Sequence, residues 1–141
     1  MMHLDRAAPI LGRLMLAALF LMAGFGKIGA PAATKAYIAS AGLPLPDLAY
    51  LLAVIAELGG GLLLLLGLQT RLVALALTGF TLATALFFHA DFADQNQMIH
   101  LLKNFAISGG LLHVAVLGGG AVSLDAWLRR TAETVKPSFV G

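Results

Sequence analysis

Four long apolar stretches dominate the sequence, and each is about as long as a membrane-spanning helix. They cover about residues 9–29, 48–68, 72–89 and 98–117. A helix needs about 20 mostly apolar residues to cross the hydrocarbon core of a bilayer. Because lipid cannot satisfy backbone hydrogen bonds, only helices and closed barrels span it, and the short alternating segments of a barrel are absent. We therefore predict an all-α integral membrane protein, a bundle of four transmembrane helices.

The composition agrees with a lipid environment. Hydrophobic residues make up 60% of the 141 residues and charged residues 11%, against about 45–50% and about 25% in soluble domains. A soluble domain of this size could not bury so much apolar surface. We predict one membrane domain over residues 1–141, with an amphipathic C-terminal tail over residues 123–141. In that tail Ser123 is the expected N-cap of a short helix, Asp125 lies in its first turn, and Trp127 anchors it at the interface.

Residue types that are rare in the chain exclude several functions. There is no cysteine, so disulfides, iron–sulfur clusters, heme-thiolate ligation and thiol redox catalysis by this chain are excluded. Any redox role therefore needs a bound cofactor or a partner protein. The formal net charge is only +2 and the chain has no long basic run, so nucleic acid is not an expected partner.

The N-terminal region permits a second interpretation as a secretory signal peptide. Arg6, an apolar run and the small-residue segment Ala30-Pro31-Ala32-Ala33 fit that pattern. However, Arg13 directly precedes an apolar run that continues to Lys27, which is spanning length. We therefore expect this segment to be retained as the first span.

The distribution of positive charge predicts the orientation. With four spans, both termini and the Arg71 turn lie on one side, and six of the nine basic residues fall there. These six are Arg6, Arg13, Arg71, Arg129, Arg130 and Lys136, against Lys27, Lys35 and Lys103 on the other side. Cytoplasmic loops carry the excess of Lys and Arg. We predict a multi-pass protein of the cell inner membrane with both termini in the cytoplasm.

Glu57 is the polar residue in the spans that most needs an explanation. It lies near the middle of the second span, where an ionisable group costs about 2.5–3.5 kcal/mol or more. Counting about 1.5 Å per residue places Glu57 roughly 13 Å below the outer surface, and Lys103 and Asn104 about one and a half turns into the fourth span from the same side. A lysine stem that reaches about 6 Å further inward can close that gap. Lys27 of the first span reaches that depth less easily. We predict that Glu57 contacts one of these three side chains, in a cavity that opens outward.

Helical periodicity groups the other polar residues into one expected site between the first, second and fourth spans. The candidate ligand-binding or polar-core residues are Glu57, Lys103, Asn104, Lys27, Arg13 and His100. Lys27 and Arg13 also fit ordinary charged anchors that reach the interface. Gly60 and Gly61 share the Glu57 face and are expected to contact a neighbouring helix. No metal site is predicted: His89 and His113 are interpreted as interface or packing residues, and the acidic loop with Asp91 and Asp94 as solvated.

The order of four short motifs resembles the DoxX family of small four-helix membrane proteins. The motifs are Arg13 followed by Gly24-Phe25-Gly26-Lys27; Ala56-Glu57-Leu58-Gly59-Gly60; His89, a polar loop, and His100-Leu101-Leu102-Lys103-Asn104 with Gly109-Gly110; and Gly118-x-Gly120-x-x-Ser123-Leu124-Asp125. Together they cover about residues 10–130. Members of that family include subunits of thiosulfate:quinone oxidoreductase and a component of a membrane oxidoreductase complex that contains superoxide dismutase and a sulfurtransferase.

Three functions remain open at this point. The resemblance implies a membrane subunit or accessory of a redox complex, with a quinone as the candidate cofactor and with redox proteins or further copies of the chain as partners. Glu57 alone also fits a small proton-linked transporter, in which it is the group that changes charge. A third interpretation is a non-catalytic membrane scaffold or assembly factor, whose polar site only fixes helix packing.

Overall fold

The computed structural model of the protein describes residues 2–135, and within them every regular element is a helix. In chain order these are α1 (Met2–Gly29), α2 (Pro31–Ser40), α3 (Pro46–Leu66), α4 (Thr70–Phe88), α5 (Gln95–Leu117) and α6 (Leu124–Val135). Four of them, α1 and α3 to α5, are long and apolar enough to cross a membrane. The predicted all-α fold with four spans is confirmed. The observed spans start earlier than predicted because polar residues such as Gln95 join the first turn.

The four spans form a ring. The span α1 packs against α3 and α5, and α4 also packs against α3 and α5, so α3 and α5 lie diagonally opposite each other. The end of the bundle where α3 meets α4 and α5 leads into α6 is called here the terminal end. The opposite end, which carries α2 and the α4–α5 loop, is called the loop end.

The centre of the bundle is apolar, and small residues bring the helices close. Ala17, Phe20, Leu64, Leu77 and Leu111 are buried in one cluster, while many leucines elsewhere face outward, as expected for a protein dissolved in lipid. A Cβ at Gly60 would lie 2.8 Å from Leu77 of α4, and one at Gly61 would lie 3.1 Å from the backbone nitrogen of Leu21. The prediction that both glycines contact other helices is therefore confirmed.

The loop end is covered by α2. Tyr37 stacks on Phe88 with ring centroids 5.2 Å apart. Lys35 lies 2.6 Å from Asp47 at the start of α3, and the hydrogen bond and charge of Asp47 raise the pKa of Lys35. These contacts hold the short helix against the ends of two spans.

The C-terminal tail folds back on the terminal end. Ser123 caps α6, because its Oγ accepts a hydrogen bond from the Ala126 N–H at 3.1 Å; the predicted N-cap is confirmed. Gly118 and Gly120 have positive φ angles of 79° and 76°, which lets the chain turn sharply between α5 and α6. Lys136, which was counted in the charge asymmetry, lies outside the described residues.

Candidate functional site

Lys27 and Glu57 form an ion pair between α1 and α3. The distance from Lys27 Nζ to Glu57 Oε1 is 2.7 Å, and the side chains are 27% and 8% exposed. Gly24, one turn before Lys27, lies so close to α3 that a Cβ there would overlap Leu58. This close approach of the two helices lets the lysine reach the carboxylate. Of the three predicted partners of Glu57, the structure provides Lys27.

Glu57 lies in an irregular turn of its helix. Residues Ile55–Gly59 are π-helical inside the otherwise α-helical α3. A π-turn inserts an extra residue into the helical repeat, and such turns are frequent at functional sites. The wider turn rotates the residues on its two sides relative to each other. In this helix it allows Glu57 to face α1 while Gly60 contacts α4 and Gly61 contacts α1.

One oxygen of the Glu57 carboxylate is left free. Oε2 is buried and has no hydrogen-bond partner within the described part of the chain, whereas Oε1 accepts from Lys27. An ionised carboxylate offers about four acceptor positions. Oε2 can therefore accept a hydrogen bond from a ligand that also reaches Lys27.

The structure does not bring the fourth span into this site, so the prediction that Lys103, Asn104 and His100 join Glu57 there was wrong. Lys103 is exposed and Asn104 half-buried, and the side chain that pairs with Glu57 is Lys27. The physical reason is the ring order, because α5 lies diagonally across from α3. His100 is also elsewhere. Its ring stacks on that of His89 at the loop end, with centroids 4.9 Å apart and planes 18° apart.

Arg13 is likewise separate from Glu57 and lies at the terminal end. Its Nη2 donates to the carbonyl oxygen of Val122 at 2.8 Å, and only 3% of the residue is exposed. The guanidinium lies directly against Gly67, where a Cβ would overlap Nη1. Arg13 is therefore neither an interfacial anchor nor part of the Glu57 site. It connects α1 to the segment before α6.

Asp125 completes this terminal-end network, and sequence reasoning did not identify its role. Its carboxylate accepts hydrogen bonds from the N–H of Gln69 at 2.8 Å, and from the N–H and Oγ1 of Thr70 at 2.9 and 2.7 Å. Its own N–H donates to the carbonyl of Gly67 at 2.9 Å. Burial favours the neutral acid, but the hydrogen bonds and the charge of Arg129 outweigh it and lower the pKa of Asp125. The sequence feature that pointed to Asp125 was the motif from Gly118 to Asp125.

An apolar groove of about 430 Å³ runs between α1 and α5 at the terminal end. Gly12 and Leu16 contribute from α1, and Gly110 and His113 from α5. His113 Nδ1 lies 3.0 Å from the carbonyl oxygen of Gly109, so this nitrogen is the donor of that hydrogen bond. Among the side chains that the structure describes, residues 7–134, no three His, Cys, Asp or Glu cluster as a metal site would require.

Comparison with known proteins identifies the family. The DoxX family model matches residues 8–90, which include Arg13, Lys27 and Glu57. Inner membrane protein YqjF of Escherichia coli K12 is 40% identical over 133 residues, covering 92% of this chain and 98% of YqjF. Inner membrane protein YphA of the same organism is 37% identical over 128 residues, covering 84% of this chain and 91% of YphA. No solved structure matches the chain. Because the family model matches more than half of the chain, this chain belongs to the DoxX family.

Proposed function

We propose that this protein is a membrane subunit or accessory of a redox complex in the cell inner membrane, and that it holds a quinone headgroup at the Lys27–Glu57 pair. The observation that carries the proposal is the Oε2 of a buried carboxylate, which has no partner within the described residues, beside a lysine whose side chain is partly exposed. That arrangement presents one acceptor and one donor to the same ligand. Both relatives are named as inner membrane proteins, which supports the location.

The two side chains match the two forms of a quinone. Lys27 can donate a hydrogen bond to a quinone carbonyl, and Glu57 Oε2 can accept one from a hydroquinone hydroxyl. A quinone bound there would supply the redox chemistry, which the side chains of this protein do not. The chain has no cysteine, so the electrons would have to come from outside the chain. Glu57 and Lys27 position the headgroup and handle its protons.

Quinone retention tests the proposal. The protein is purified in mild detergent, the bound quinone is extracted and quantified by mass spectrometry, and a short-chain quinone is then titrated into the emptied protein. We expect Glu57→Gln and Lys27→Met each to weaken quinone binding about tenfold, since each removes a charged hydrogen-bonding partner. Lys103→Met is the matched control, because it removes an exposed lysine from a neighbouring span and should leave binding unchanged.

Two results would contradict the proposal. One is a wild-type protein that neither retains nor binds quinone. The other is an equal loss of binding in the Lys103 control, which would mean that quinone binding responds to the overall charge of the protein. The thermal unfolding temperature of each variant separates lost binding from lost folding.

The tight packing around the pair favours a second candidate, a structural role in a membrane scaffold. Gly24 and Gly61 hold α1 and α3 in close contact on the terminal-end side of the Lys27–Glu57 pair. In this reading the pair fixes which helices are neighbours. Glu57→Gln would then lower the unfolding temperature while quinone binding is absent from both wild type and variant.

The orientation is a separate proposal that follows from the charge asymmetry. We expect both termini in the cytoplasm. A reporter that is active only outside the cytoplasm, fused after Gly141, should therefore remain inactive. Strong activity of that fusion would reverse the topology.

A further inference from the structure

A second cavity, of about 410 Å³, lies at the terminal end beside the Asp125 network. Arg71 and Leu72 contribute from the start of α4, and Leu128 and Arg129 from α6. Gly118, in the link between α5 and α6, lies beneath Arg71, since a Cβ there would be 3.4 Å from Arg71 Nε. The cavity is therefore a cleft flanked by two guanidinium groups and two leucines.

The charges in this cleft are unbalanced. Asp125 is the acidic residue that lines it, and the carboxylate of Asp125 already accepts three hydrogen bonds from Gln69 and Thr70. The ion pairs within residues 7–134 are Lys27–Glu57 and Lys35–Asp47, so neither Arg71 nor Arg129 is paired there. Two positive charges against one engaged carboxylate leave the cleft with a net positive charge, which suits an anion.

The position of the cleft indicates where this anion belongs. It lies where α3 ends and α4 begins, which is the level of the membrane–water boundary for spans of this length. The helix α6 beside it exposes Trp127 and Leu128, 56% and 47% of each residue, next to Arg129. Tryptophan and an amphipathic basic helix are typical of the headgroup region. The phosphates of the lipids lie at the same level.

We propose that this cleft binds the phosphate of an anionic phospholipid. Arg71 and Arg129 donate hydrogen bonds to the phosphate oxygens, since the planar guanidinium matches phosphate geometry. Leu72 and Leu128 contact the glycerol and the first carbons of the acyl chains. Basic pockets between spanning helices bind anionic headgroups in this way. The bound lipid would join α4 to α6 through its phosphate, next to the junction that Asp125 makes directly.

Native mass spectrometry tests this site on the full chain. The protein in nonionic detergent is titrated with phosphatidylglycerol and, separately, with zwitterionic phosphatidylcholine. We expect wild type to bind phosphatidylglycerol at least about fivefold more tightly, and Arg71→Gln or Arg129→Gln each to lose about fivefold, as expected for one basic residue near a lipid surface. Arg129→Lys keeps the charge and should lose less than Arg129→Gln.

Arg130→Gln is the matched control. Arg130 is the next residue of α6, carries the same charge, and contacts the carbonyl of Ala121 at 3.5 Å instead of lining the cleft. An equal loss in this variant would overturn the proposal, because it would show diffuse attraction to a basic surface. Displacement of the lipid by inorganic phosphate at an equal concentration would overturn the lipid as the source of the phosphate. If Arg71→Gln fails to fold, the exposed Arg129 variants carry the test.

Discussion

The polar groups at the two ends of the bundle are organised in different ways. At the terminal end, Asp125 accepts three hydrogen bonds and its backbone donates a fourth, which ties α6 to the turn between α3 and α4. In the half of the bundle nearer the loop end, Glu57 has one partner, Lys27, and one buried oxygen without a partner among the described residues. A buried polar group that lacks a partner costs free energy. The Asp125 network is therefore suited to holding the helices together, and the Lys27–Glu57 pair to binding a ligand.

Arg13 refines this comparison, because it too has buried nitrogens, Nε and Nη1, without a partner within the described residues. The backbone of Gly67 lies against Nη1, so closely that a side chain at residue 67 would overlap it. Lys27, in contrast, is 27% exposed on its side chain. The difference between the two ends is thus also one of access. The terminal-end arginine is closed in by protein, and the loop-side lysine can be reached from outside.

The largest expected effect is at Gly67, where the terminal-end network is most tightly packed. Gly67 has a φ of 68°, and an added Cβ would overlap Arg13 and come within 2.5 Å of Ser123. We expect Gly67→Ala to lower the free energy of unfolding by roughly 3 kcal/mol, from backbone strain and overpacking together. Unfolding in mixed detergent micelles measures the change.

Gly42→Ala is the control for this prediction. Gly42 has a similar φ of 78° but nothing within 4 Å of an added Cβ, so only the left-handed backbone is penalised, by about 1 kcal/mol. Equal effects of the two substitutions would mean that the packing of Arg13 over Gly67 contributes nothing. The close packing at the terminal end would then not be what stabilises the fold.

The next effect concerns Asp125 and acid. We expect Asp125→Asn to destabilise the protein by about 2 kcal/mol at neutral pH, since the carboxylate accepts three hydrogen bonds. Because folding lowers the pKa of Asp125, its contribution is complete above the unfolded pKa of about 3.9. The contribution is lost as the pH falls below that value towards the folded pKa. Wild type should therefore lose stability below about pH 4, and the variant should lose less over the same range.

The sequence predicts the spans well because the bilayer itself fixes their length and composition. It also singles out Glu57, because a carboxylate at that depth is costly wherever the helices lie. Depth counting favoured Lys103 over Lys27, because depth does not say which helices are neighbours. That choice depends on the ring order of the bundle, which places α3 beside α1 and across from α5.

The contacts of Asp125 could not be predicted for a different reason. Its partner Thr70 is 55 residues away in the chain, and both lie in short polar segments that look like ordinary solvated turns. Only the fold brings the first turn of α6 to the start of α4. The π-turn around Glu57 gives no recognisable signal either, because the residues Ile55–Gly59 are as compatible with an α-helix.

The smallest expected effect is the coupling between Lys27 and Glu57, and it decides whether the loop-side pair differs from the terminal-end network. We expect Glu57→Gln and Lys27→Met each to destabilise the bundle, and the double variant to be less destabilised than the sum, by about 1 kcal/mol. The reason is that each single change leaves the other polar group unpaired, whereas the double change removes both. Glu57→Gln combined with Lys103→Met should be additive, because Lys103 is exposed and does not pair with Glu57. A coupling that matched the whole loss from either single change would make the pair a purely structural tie. A smaller coupling free energy that increases when a short-chain quinone is present would indicate that Glu57 Oε2 serves a ligand.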